Sequence, residues 1–194
     1  MKTFDYTIKE LQGMAFDLRK QIVDMIIAGK GGHIGGDMSI LEILMTLYFK
    51  EMQVDASHPQ LPERDYFVLS KGHCVEALYT VLAARGFFPI DEAIAQFSKF
   101  GSPFIGHPTN KIPGIEMNSG SLGHGLPVCV GMALAAKMSG TSNRVYTIMG
   151  DGELAEGSVW EGAMAAAHHK LNNLCAIIDR NGLQISGSTE HVMA

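Results

Sequence analysis

The sequence predicts an α/β protein: a mostly parallel sheet with helices on both faces. Three observations predict it. Tyr66–Leu69, Val145–Met149 and Leu174–Ile178 are short, continuous apolar runs of strand length. Stretches with helical periodicity separate them, and such alternation marks strands buried on both faces of a parallel sheet. Glycine-rich segments follow the strands or open the helices, where open α/β sheets take their ligands. The 194 residues, 46% of them hydrophobic, suffice for one domain with a real core, expected to span 1–194.

Taken in order, Leu11, Met14, Leu18, Ile22 and Met25 fall at helical spacing, so residues 7–28 read as an amphipathic helix that Gly29, Gly31 and Gly32 end. His33-Ile34-Gly35-Gly36 reads as a loop. Ser39 with Glu42 reads as a capping box for a helix over 40–50. Residues 51–65, with Pro59, Pro62 and mixed charge, form a surface connection. Strand Tyr66–Leu69 runs into Ser70-Lys71-Gly72-His73, then a helix to Arg85 and another over Asp91–Phe100. Residues 101–121 are rich in Gly, Pro, Ser and Asn, and so long a loop in a compact domain points to function or disorder. A small-residue helix over Leu122–Met138 follows, then strand Val145–Met149, helix Gly157–Lys170, strand Leu174–Ile178 and a last loop with Gly182, Ser186, Gly187 and Ser188.

The net charge of −5 favours neither nucleic acid nor an anionic membrane surface. An anionic ligand needs backbone donors, local positive charge or a metal ion. Cys74, Cys129 and Cys175 include no CxxC pair and read as buried, reduced thiols of a cytoplasmic protein. Lys2, Asp5, Lys9, Glu10, Asp17 and Arg19 leave no apolar signal-peptide core in the first twenty residues. The run Val128–Ala136, broken by Gly131, is too short to span a bilayer.

Gly150-Asp151-Gly152 ends one strand and Asn181 follows the next, 30 positions after Asp151. A strand–helix–strand unit puts both at one sheet edge. A carboxylate, an amide oxygen and a main-chain carbonyl, most simply that of Leu183, are hard ligands suited to a magnesium ion that holds a diphosphate. Taken alone, Gly-Asp-Gly reads equally well as a plain turn. Asn118-Ser119-Gly120-Ser121-Leu122-Gly123-His124-Gly125 opens a helix and can turn amides toward phosphate, or serve only as a flexible turn. His33, His73 and His107 each follow a glycine, which suits proton exchange with hydroxyls and carbonyls. A zinc site is the alternative, although the spacings of 40 and 34 match no compact metal motif. His168 and His169 lie mid-helix among alanines, at least one of them structural, while His58 and His191 read as surface residues. Glu156, at a helix start, reads as an acid complementing the helix dipole, as does Glu153. No P-loop and no dinucleotide fingerprint is present.

These stretches together resemble the transketolase family. Gly150-Asp151-Gly152 with Asn181 is similar to the thiamine diphosphate signature. Gly32-His33-Ile34-Gly35-Gly36, Ser70-Lys71-Gly72-His73, Gly106-His107-Pro108 and Ser119-Gly120-Ser121-Leu122-Gly123-His124-Gly125 follow the family's order and spacing. The likeness runs from about residue 10 to the end and is nearest to the N-terminal, diphosphate-binding subunit of a split transketolase. Deoxyxylulose-phosphate synthases and 2-oxo acid decarboxylases are more distant readings.

The resemblance implies thiamine diphosphate and Mg2+ as cofactors. Asp151, Asn181 and the Leu183 carbonyl would bind the metal, and Gly152 and Asn181 would touch the diphosphate. His73 and the turn Gly120, Ser121 and Leu122 would contact the cofactor. His33 and His107 would relay protons at the sugar, and Glu156 would lie at the dimer interface. The activity implied is transfer of a two-carbon ketol unit from a ketose or its phosphate to an aldose or its phosphate, in pentose phosphate metabolism. The family's activating glutamate lies in a pyrimidine-binding domain absent here, which implies a C-terminal partner subunit in an α2β2 assembly; a non-catalytic cofactor-binding assembly subunit is the rival. Family members continue for further strands, so a missing or disordered C-terminal part is expected. His124, Arg180 and Ser186-Gly187 depart from the family pattern at positions that bear on sugar specificity.

Overall fold

The computed structural model describes residues 6–185 and 187–193. Expectations that rest on Lys2, Asp5 or Ser186 lie outside the described residues. The chain divides into two compact units, one holding the described residues up to Arg64 together with His73–Asn118, the other Asp65–Gly72 and the described residues from Ser119 onward.

The first unit is helical. α1 (Ile8–Gly29) begins with a capping box: the Thr7 hydroxyl accepts the Glu10 amide at 3.3 Å, and the Glu10 carboxylate accepts the Thr7 amide at 2.7 Å. Ala15, Leu18, Ile22 and Met25 form its buried stripe. α2 (Ile34–Thr46) corrects the sequence reading: Gly35, Gly36 and Ser39 lie inside a helix that starts well before residue 40. Tertiary contact explains the early start. Asp37, fully buried in the first turn, accepts the Ala77 amide of α3 (Val75–Ala84) at 2.9 Å, which ties that turn down regardless of its glycines. A π-helical turn, Leu47–Glu51, follows. The connection to residue 65 is not all surface, because Met52, Val54 and Arg64 are buried.

α4 (Ile90–Gln96) ends before residue 100. Phe97 leaves helical geometry to join an aromatic cluster in which Tyr79 and Phe104 ring centroids stand 5.4 Å apart and those of Phe88 and Phe104 5.2 Å apart. The cluster anchors the long loop, helped by the Tyr79 hydroxyl, which donates to the Ile105 carbonyl at 3.1 Å. Farther along, Arg64 pairs with Glu116 at 2.6 Å and the Asn118 side chain accepts the Asn110 amide at 2.9 Å. The loop is therefore ordered, and it carries His107.

The second unit holds a three-stranded parallel sheet in the order β1 (Tyr66–Leu69), β2 (Val145–Gly150), β3 (Leu174–Asp179). The register pairs Leu69 with Ile148 and Gly150 with Asp179. α5 (Gly125–Ser139) packs against β2 and β3, and α6 (Gly157–His168) packs on α5. α5 starts three residues later than the sequence suggested, because Gly120 (φ 136°) and Gly123 (φ 83°) take left-handed conformations that no helix accommodates. After β3 come a short hairpin, β4 (Leu183–Gln184) with β5 (Gly187–Ser188), and α7 (Thr189–Val192). Among the described residues no helix is long and apolar enough to cross a membrane.

Candidate functional site

The parallel register brings the carboxyl ends of three strands to one rim of the second unit. The Ser70 amide continues the ladder to the Ile148 carbonyl at 3.0 Å, and the Asp151 amide to the Asp179 carbonyl at 3.2 Å. Asp151, largely buried, faces the segment after β3. One of its oxygens accepts the Gly182 amide and the Thr189 hydroxyl, both at 2.9 Å, and the other accepts the Gly152 amide at 3.0 Å. The exposed Asn181 is braced from two sides: its oxygen accepts the Leu183 amide at 2.9 Å, and its amide nitrogen lies 3.4 Å from the Asp179 carboxylate. The Asp151 carboxylate thus reaches the residue next to Asn181, at the ends of β2 and β3. The donor set of carboxylate, amide oxygen and peptide carbonyl is all hard oxygen and fits a magnesium ion.

Two charged groups, Glu153 and Lys71, organise this rim. Glu153, taken as a helix-dipole acid, is almost fully buried. One of its oxygens accepts the Gly123 amide at 2.8 Å and the Ser70 hydroxyl; the other accepts the Gly150 amide at 3.1 Å. One carboxylate therefore joins the ends of β1 and β2 to the Gly120–Gly123 turn. Lys71, 1% exposed, donates to the Asp179 carboxylate at 2.6 Å, behind Asn181. In sequence, Glu153 adjoins Gly152 and Lys71 precedes Gly72, but nothing local marks either as buried.

Close backbone approach explains the glycine of Gly72. A methyl group there would stand 2.7 Å from the Gly120 nitrogen and 2.9 Å from its α-carbon. Gly152 lies beside the Gln184 side chain, and Ser121, Leu122 and the Leu183 side chain are exposed or half-buried at the rim. Glu156 is the exposed N-cap residue of α6, makes no side-chain cap bond and lies against Gly123. His168 and His169 are both exposed, so neither is a core residue. Cys74 and Cys129 are buried free thiols, whereas Cys175 is half-buried. Burial pushes the Cys129 thiol up to about 12.

The first unit gathers the three glycine-linked histidines. The His33 ring centroid stands 5.5 Å from that of His73 and 6.0 Å from that of His107. Partial burial, followed by the nearby His33, holds His107 below the ordinary imidazole value. His107 is therefore a neutral imidazole at pH 7, able to accept a proton. Among the described residues, no group of three or more His, Cys, Asp or Glu is arranged to hold a metal ion by itself, these histidines included.

Fold and rim together are those of an α/β domain with a parallel sheet whose strand ends gather at one edge. Comparison makes the class particular. Residues 12–194 match the family model described as transketolase, thiamine diphosphate binding domain, and the chain belongs to that family. It is 55% identical to one of the subunits of the apulose-4-phosphate transketolase of Phocaeicola vulgatus, over 91% of this chain and 62% of that protein. It is 44% identical to a 6-deoxy-6-sulfo-D-fructose transketolase subunit of a Clostridium species, over 94% of this chain and 66% of that protein. Among solved structures, the transketolase of Campylobacter jejuni superposes with a TM-score of 0.92 at 31% identity, over 97% of this chain and 31% of that one. The chain thus spans under two thirds of the Phocaeicola relative and about a third of the full-length enzyme.

Proposed function

We propose that the chain is the cofactor-binding half of a two-chain transketolase, a cytoplasmic transferase that moves a two-carbon ketol unit from a ketose or its phosphate to an aldose or its phosphate. The observation that carries this reading is the convergence of Asp151 with the Asn181–Leu183 segment at one sheet rim. Asp151, Asn181 and the Leu183 carbonyl would hold Mg2+, with Gly152 and Asn181 at the diphosphate. Gly120, Ser121 and Leu122 would offer turn amides to the cofactor, and His73 an imidazole contact. When bound, thiamine diphosphate supplies the electron sink for breaking and making the carbon–carbon bond.

This chain's own residues position and move protons. Glu153 holds the Gly123 amide and the end of β2 in fixed relation, so turn and strand end are set before a ligand arrives. His107, neutral at pH 7, would take a proton from a sugar hydroxyl, and His33 beside it would return one to a carbonyl oxygen. Each is asked for about 10²–10⁴-fold, the range of a positioned acid or base. Glu156, exposed at the start of α6, would meet a neighbouring chain. The names of the two subunit relatives support a partner subunit, which would bring the pyrimidine-binding domain in an α2β2 assembly. Those names also make apulose 4-phosphate and 6-deoxy-6-sulfo-D-fructose the first ketoses to try.

Calorimetric titration with thiamine diphosphate and Mg2+ tests the grip. Wild type should bind with the metal and lose binding on chelation, and Asp151→Ala should not bind. A two-carbon transfer assay with the partner subunit tests the activity. Cofactor binding without transfer in that mixture would leave the assembly-subunit reading standing instead.

A further inference from the structure

In the first unit, Glu76 of α3 is fully buried although it is an acid. Its carboxyl lies against the Gly32-His33 main chain, since a methyl group on Gly32 would collide with one of its oxygens. Asp37, also fully buried, stands beside it from α2. No well-aligned N–H or hydroxyl donor of the described residues meets either Glu76 oxygen. Two carboxyl groups in contact inside a protein cannot both ionise cheaply, because each charge is desolvated and repels the other.

We propose that Asp37 and Glu76 share one proton at neutral pH and together act as a positioning pair for the loop that carries His33. Asp37 accepts the Ala77 amide at 2.9 Å, which favours its ionised form, while burial favours the neutral form of Glu76, so the proton is placed on Glu76, facing Asp37. The Glu76 carboxyl also lies near the His33 amide. A chain from Ala77 through Asp37 and Glu76 to His33 results, linking α3 to the start of α2. It serves where His33, the N-cap residue of α2, makes no side-chain cap bond of its own.

Burial raises Glu76 above the ordinary 4.5, outweighing the opposing effects of its own amide, the His33 amide and Asp37, in that order. The ionisable groups around it are Asp37 on α2, His33 at the cap and, farther along α3, Tyr79, whose hydroxyl Glu76 pushes up after burial has done so. Because the folded chain holds this proton at pH values where the unfolded chain has released it, stability falls as pH rises from about 4.5 toward the pair's raised value.

This inference rests on the proposed function only for its use in catalysis; its test needs neither cofactor nor sugar. Infrared spectroscopy of the chain in heavy water at pH 7 should show the carbonyl band of a buried protonated carboxyl. The band should vanish in Glu76→Gln. A wild-type spectrum without it overturns the shared proton, whatever any variant does. The pH dependence of unfolding should differ between wild type and Glu76→Gln by about one proton above pH 4.5, and identical slopes would overturn the same point. For positioning, the His33 ring resonances should shift in Glu76→Ala and stay near wild type in Glu76→Gln, which keeps a neutral side chain of the same shape. If both variants move His33 equally, or neither does, the positioning role is wrong even where the proton is present. Loss of two-carbon transfer with these signatures intact would count against the proposed function alone.

Discussion

At the scale of single residues, the rim depends on groups that bear no mark in the sequence. Lys71 is a buried ammonium whose counter-charge, Asp179, braces Asn181. Removing one partner of a buried pair leaves a charge desolvated with little compensation, whereas removing both can be nearly neutral. Lys71→Met should therefore destabilise the chain by about 3–5 kcal/mol, read from urea unfolding. The double variant Lys71→Met/Asp179→Asn should recover most of that loss. Equal stability of wild type and single variant would mean the pair carries no weight. His107 makes a second prediction. Its folded value lies below the ordinary 6.5, so below pH 6.5 the unfolded chain takes up a proton that the folded chain resists. The stability held above pH 6.5 is then lost as pH falls through the folded value. In His33→Asn the His107 value should move up, since one repelling neighbour is gone while burial remains. Titration of the His107 ring proton by NMR measures it, and an unmoved value would show that burial alone sets the shift.

At the scale of elements, what could be read from the sequence was what is local. The three strands were legible to within a residue, because continuous Val, Ile, Leu and Tyr runs between helix-period stretches leave few other conformations. The Asp151–Asn181 relation was legible because one strand–helix–strand unit fixes it. The starts of α1 and α6 were legible too, but those of α2 and α5 were not. The beginning of α2 was hidden because Asp37 bonds to Ala77, forty residues away. The beginning of α5 was hidden because the Gly123 amide is held by Glu153 rather than by a helical partner. Glu153 itself read as an ordinary first-turn acid, since two of its three donors, the Ser70 hydroxyl and the Gly123 amide, lie 83 and 30 residues away in sequence. The close approach of Ser70–Gly72 to Ser119–Gly120 is likewise a tertiary fact, and it yields a prediction. Gly72→Ala puts a methyl group against backbone at 2.7–2.9 Å, which no side-chain rotation relieves. Overpacking of this kind costs about 1–3 kcal/mol. The variant should melt earlier and bind thiamine diphosphate more weakly, because the displaced Gly120 turn is the one expected to offer amides. A variant that melts with wild type would show that the turn yields without cost.

At the scale of the whole molecule, a net charge of −5 means that an anionic cofactor gains nothing from long-range attraction. Its binding must come from amides at the rim and from the cation that Asp151 and Asn181 would share. A ligand held by the folded chain and not by the unfolded one stabilises by mass action, about 2.7 kcal/mol at a hundredfold excess over Kd. For a chain of this length that corresponds to a rise in Tm of ~5–10 °C. Thiamine diphosphate with Mg2+ should give this rise, and chelation should reverse it. Either component alone should give a much smaller one, since each lacks the other's charge. Asp151→Ala removes the carboxylate but also frees the Gly182 amide and the Thr189 hydroxyl, so its own Tm should fall before any ligand is added. The quantity to compare is the ligand-induced shift, not the absolute midpoint. A shift in Asp151→Ala equal to that of wild type would place the cofactor's grip elsewhere. His33→Asn, which leaves every rim contact in place, should show the full shift and still lose two-carbon transfer in the presence of the partner subunit.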